Sequence, residues 1–265
     1  MPLDDGEETA RLYKEIATKL SDSCRDVAWL ELSYDGFEIP LNIYEYPIQP
    51  YPNAPLLQDV LDSFEAAQPD IEKLIEVTRR PVCTLEHADM NDENDPAHQR
   101  VIEVASSLRK CVKVLACDAI RHQGLGNEEA AVERILAVYR LSNHLMLQED
   151  WTFLLIGMGG VDYARGHANW LIRSSGKARV SDESCRRIRR VVKQIVDTSR
   201  VEVREKCRAM AHWLHDSDVY SEDVKQIMYS DGFDEDIMYD KWLKSIYASI
   251  HAVDDRLDPY RLQSP

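Results

Sequence analysis

The sequence predicts a mostly α-helical fold: stacked antiparallel helical hairpins, solenoid-like or bundled, with a small N-terminal β-hairpin. Three observations predict it. Beyond residue 53, apolar side chains recur at every third and fourth position, the spacing that builds one buried face of a helix. Only ten glycines and eleven prolines interrupt 265 residues, so the periodic stretches run long. One early segment, 27–46, instead alternates around an Asp-Gly pair.

Ala10, Tyr13, Ile16, Ala17 and Leu20 fall on one stripe and predict a first helix over 9–20. The runs 28–34 and 37–44 flank Asp35-Gly36, and glycine tolerates the positive φ of a type I′ turn, so a β-hairpin is expected there. Pro40 lacks an N–H and confines its strand to an edge. Prolines 47, 50, 52 and 55 make the following connector extended. The chain therefore divides into 1–52 (helix, hairpin, connector) and a helical part, 53–265, expected to form one compact unit.

Asn53 is placed to cap a helix over 56–67, and Gln68-Pro69-Asp70 is expected to break it and open another to about Arg80, where Pro81 stops it. Residues 86–96 read as an acidic loop. As an EF-hand it fails, with Asn94 where glycine is needed and Arg100 where the bidentate glutamate belongs. Val101 to Ala119 keep a helical stripe to about Gln123; Gly124-Leu-Gly126-Asn127 turns the chain into an antiparallel mate over 128–146. Glu149-Asp150 supplies negative charge to the first turn of 151–173, where the helix dipole favours it. Ser181-Asp-Glu opens a helix to about Trp213, and a last one spans 236–254.

Residues 53–57 (Asn-Ala-Pro-Leu-Leu), 79–83 (Arg-Arg-Pro-Val-Cys), the stretch 108–145, Gln148-Glu149 and Val180-Ser-Asp-Glu183 together resemble an uncharacterised all-helical family abundant in planctomycete-type bacteria, with tetratricopeptide-like hairpins. The resemblance covers about 53–196. It implies a fold of stacked hairpins and brings no activity and no catalytic residue. The segment 27–46 lies outside it, and Gly157-Met-Gly-Gly160 stands where it would place ordinary helix formers.

Composition bounds the function. Apolar residues make up 44% and charged residues 30%, with a net charge of −15. The charge is uneven: residues 1–100 carry −14, 101–215 carry +6 and 216–265 carry −7. The simplest use of a basic middle is to face the protein's own acidic ends. Six cysteines without a Cys-x-x-Cys pair read as buried apolar groups of a reducing compartment, and a cytoplasmic location is expected. The first residues lack the basic and apolar regions of a signal peptide. The longest apolar run, 153–161, is far short of a membrane span.

Three residue groups are candidates for chemistry. Arg186, Arg187, Arg189, Arg190 and Lys193 are the densest basic cluster, opposite the apolar Ile188, Val191, Val192 and Ile195. They predict a surface for an acidic protein, in cis or in trans. Nucleic acid is not expected, because the chain is acidic overall and no aromatic residue accompanies the stripe. Gly157, Gly159 and Gly160, followed by Asp162, Arg165 and His167, predict close helix packing or a small-molecule cleft; no Gly-Lys-Ser/Thr makes this a phosphate loop. His212, His215 and Asp216 can share one helix face toward a metal, but no second helix offers a complementary Glu-x-x-His set. The reading is therefore a non-enzymatic helical interaction module with a protein partner, no cofactor and no metal. The alternatives are a small-molecule binder or enzyme at the glycine cleft, or a metal-dependent hydrolase at the histidines.

Overall fold

A computed structural model describes residues 4–24, 57–88, 95–173, 180–216 and 235–257. Among them are seven helices and no strand: α1 (Asp5–Ser23), α2 (Leu57–Thr78), α3 (Ala97–Gly124), α4 (Glu128–Met146), α5 (Trp151–Arg173), α6 (Asp182–Asp216) and α7 (Glu235–Leu257). The expectation of a helical fold carrying a β-hairpin is corrected accordingly. Helix is the one regular secondary structure among the described residues, and the segment 27–46 lies outside them. Helices supply most of the core, with Leu85, Ala88 and Val180 added from the connecting segments.

Local chemistry sets the helix ends. The Asp4 carboxylate accepts the Glu7 amide at 2.7 Å to cap α1. Gly126 takes φ +75° after α3, and the Asn127 amide reaches back to the His122 carbonyl at 2.8 Å. The Asn127 side chain then accepts from Ala130 to start α4. The Asp150 carboxylate accepts the Thr152 amide at 2.8 Å at the head of α5, and the Ser181 hydroxyl accepts the Ser184 amide at the head of α6.

One boundary departs from the sequence expectation. Residues 57–78 form a single helix through Pro69, not two. A proline inside a helix removes one hydrogen bond and crowds the preceding turn. Here Phe64, Ala67, Ile71, Leu74 and Ile75 bury one continuous stripe across it. Burial of five side chains outweighs the loss of one backbone bond.

The substantial interhelical contacts join helices that are neighbours or next neighbours in chain order. α1 packs on α2 and α3; α4 packs on α2, α3, α5 and α6; α7 closes against α5 and α6. Central placement explains why α4 is buried nearly all round: Ala131 to Tyr139, Leu141, Ser142 and His144 to Met146 are buried, with Glu133 and Arg134 among them in ion pairs. No described helix is long and apolar enough to cross a membrane.

Side-chain polar bonds tie the non-helical segments to this centre. The Gln148 amide oxygen accepts the Leu85 amide at 2.7 Å, and its nitrogen donates to the carbonyls of Cys83 and His144. Arg256 on α7 donates to the carbonyls of Ile172 and Val180, joining the end of α5 to the start of α6.

Candidate functional site

The three glycines of α5 have different surroundings. A Cβ on Gly157 would lie 2.7 Å from the Ser142 carbonyl oxygen and 2.9 Å from the Met146 amide of α4. A Cβ on Gly160 would run into the Ser142 hydroxyl and lie 3.5 Å from the Val112 side chain of α3. Both therefore serve close packing. A Cβ on Gly159 would meet nothing within 4 Å.

That open position is the floor of a cleft of about 320 Å³ between α3 and α5. Arg109, Val112 and Lys113 line it from α3; Leu155, Ile156, Gly159, Gly160 and Tyr163 line it from α5. Arg109 and Lys113 are one turn apart on one face of α3. Leu155 is 40% exposed, a large apolar side chain facing water. Burial pulls the Lys113 ammonium below its usual range and pushes the Tyr163 phenol above its own.

Of the sequence-predicted cleft residues, only Gly159 and Gly160 line this space. Gly157 is sealed against α4. Asp162 accepts from the Ser245 hydroxyl of α7 and lies 3.6 Å from Arg165, so that pair belongs to the α5–α7 junction. His167 is buried; its Nδ1–H donates to the Tyr163 carbonyl at 2.8 Å, and its ring stacks on Tyr163 at 5.7 Å. Burial pushes its imidazolium down to about 4, so it is neutral at ordinary pH. It supports the Tyr163 ring and does not reach the cleft. Sequence reasoning missed Arg109, Lys113, Leu155, Ile156 and Tyr163. The spacing of Arg109 and Lys113 was a usable signal, but which helix faces them is a tertiary fact.

The basic cluster of α6 divides. Arg187 pairs with Glu129 and Glu133 of α4, and Arg189 Nε donates to the Asp254 carboxylate of α7 at 2.6 Å. These two serve the protein's own acidic groups. Arg186, Arg190 and Lys193 stay exposed on successive turns, where Arg186 and Lys193 meet the carboxylates of Glu183 and Asp197 on their own helix. With Arg189, Gln194, Asp197 and Thr198 they line a shallow groove of about 480 Å³.

The metal reading gains no support. Among the described residues no group of three or more His, Cys, Asp or Glu side chains is placed to hold a metal. His212 is exposed, and the side chains of His215 and Asp216 lie outside the described residues.

Other titratable groups in the interior hold helices together. The buried Asp118 carboxylate accepts Arg121 Nε at 2.7 Å and Arg134 Nε at 2.5 Å. Arg134 also donates to Glu72 at 2.6 Å, and Arg121 to Gln68 at 2.8 Å, tying α2 to α3 and α4. Tyr13 bonds His144 Nδ1 at 2.8 Å, while Nε2–H of the same ring donates to the Arg80 carbonyl at 2.9 Å. All six cysteines are free. Burial raises the thiols of Cys24, Cys83, Cys111 and Cys117 to about 12 and that of Cys207 to about 11, far from the reactive thiolate.

The chain matches no protein-family model, no curated protein and no solved structure.

Proposed function

We propose that the protein is a non-enzymatic helical interaction module that meets an acidic protein surface through the outer edge of α6. The observation that carries the reading is the division of the basic cluster. Arg187 and Arg189 are spent inside the molecule, while Arg186, Arg190 and Lys193 face outward at i, i+4 and i+7. Exposed pairs within one helix contribute only about 0.3–0.5 kcal/mol, so Glu183 and Asp197 give way readily to a better partner. The use of Asp118, Glu133, His144 and His167 as ties between helices or within them supports a structural module over a catalytic one.

Charge reversal tests it. Arg186→Glu with Arg190→Glu alters exposed side chains only, so the circular dichroism spectrum and thermal midpoint are expected to stay at the wild-type values. Affinity capture from native lysate with the wild-type chain is expected to recover an acidic protein, released by raised salt and lost with the double variant. Capture that is identical for the two chains, or a partner held equally well at high salt, overturns the proposal.

A further inference from the structure

We propose that the α3–α5 cleft binds a small carboxylate with an apolar body, such as a medium-length acyl chain or a substituted aryl ring. The proposal concerns a different face from α6 and does not depend on the interaction reading.

The floor is the first argument. A helix-interior glycine costs about 1 kcal/mol relative to alanine. Gly157 is required by the α4 backbone and Gly160 lies close against the Ser142 side chain, but nothing inside the protein requires Gly159 to lack a side chain. Its effect is to keep about 320 Å³ of space open. That is the lower end of small-molecule sites and suits a body of roughly 10–15 non-hydrogen atoms.

The walls supply the chemistry. Leu155, Ile156 and the Tyr163 ring form an apolar side on α5. Arg109 and Lys113 place two cations on the α3 side, and the lining includes no carboxylate. In a chain of net charge −15 this is a local reversal of sign. Two cations on the wall with no carboxylate in the lining favour an anionic group in the cleft. A carboxylate bridging the Arg109 guanidinium and the Lys113 ammonium leaves its apolar body lying over Gly159 against Leu155 and Tyr163. The ligand covers the exposed Leu155.

Decanoate, kept below its micelle concentration, is the probe, and decyltrimethylammonium the control with the same tail and the opposite charge. In ¹⁵N-labelled protein, decanoate is expected to shift the amides of residues 109–113 and 155–163 saturably, and the ammonium probe is not. Gly159→Leu fills the cleft and is expected to abolish the shifts without lowering the thermal midpoint. Lys113→Gln is expected to weaken binding about tenfold, the loss of one well-placed charge contact. Arg186→Glu with Arg190→Glu is expected to leave decanoate affinity unchanged, separating this site from the α6 edge. The proposal is overturned by any of three results: no saturable shift at these amides, equal binding of both probes, or decanoate binding that survives Gly159→Leu.

Discussion

At the scale of single residues, three glycines within four positions illustrate how one residue type serves different ends. Alanine at 157 would place its methyl 2.7 Å from a backbone oxygen of α4, and backbone moves only if the helices separate. Gly157→Ala is therefore expected to destabilise by about 1–3 kcal/mol, as overpacking does. Alanine at 159 meets open space and gains helix propensity, so Gly159→Ala is expected to stabilise by about 1 kcal/mol. Urea midpoints of the two variants check both, and midpoints that move in the same direction would show that α5 is rotated from the placement described. The sequence reading grouped the three glycines as unusual helix-interior residues. It had no means of separating them, because the separation depends on the rotation of α5 against Ser142 and Met146. Asp162, Arg165 and His167 were grouped with them for their nearness in sequence. Nearness along a helix does not mean a shared face, and these side chains turn toward α7 and the interior.

At the scale of elements, boundaries were legible where a side chain or a special backbone angle fixes them locally. Asn127 and Gly126 bound α4, Asp150 starts α5 and Ser181 starts α6, and each acts through bonds spanning a few residues. Pro69 was misleading for the same reason: it is a local breaker overruled by distant packing. The stripe from Phe64 to Ile75 faces helices far away in sequence, and Arg121 and Arg134 grip Gln68 and Glu72 on either side of it. This grip depends on Asp118, which is fully buried between two arginines. Asp118→Asn keeps the shape and removes the buried carboxylate that Arg121 and Arg134 share, leaving Arg134 with the Glu72 carboxylate. It is expected to cost about 3–5 kcal/mol in denaturant titration. Leu115, buried on the same helix, gives the apolar comparison: Leu115→Ala is expected to cost about 2–5 kcal/mol. If Asp118→Asn proves nearly neutral while Leu115→Ala is costly, the ion cluster does not hold α2 in place.

At the scale of the whole molecule, the uneven charge of the sequence resolves into contacts between distant parts of the chain. Arg134 and Arg189, from the basic middle, pair with Glu72 and Asp254 from the acidic ends. The same compactness buries two imidazoles, His144 and His167, each pushed down to about 4 from an ordinary value of 6.5. Between those values the unfolded chain takes up a proton that the folded chain refuses. Their contribution to stability is therefore full above about pH 6.5 and is lost as the pH falls toward 4. At pH 5 the loss is about 2 kcal/mol for each ring. His122, also lowered by burial, acts with the same sign. The carboxylates Glu8, Glu86 and Glu133 are held below their usual value of 4.5, with Arg11, Arg100 and the pair Arg140 and Arg79 as their basic partners. They withdraw stability only at lower pH, so the interval between about pH 6.5 and 5 isolates the histidines. Urea midpoints are expected to fall across that interval in the wild-type chain. They should fall much less in a His144→Gln, His167→Gln double variant, which starts less stable at neutral pH because the Tyr13 and Arg80 bonds are weakened. A wild-type midpoint unchanged down to pH 5 would mean that water reaches both rings, and that α4 and α5 are less tightly enclosed than their burial indicates.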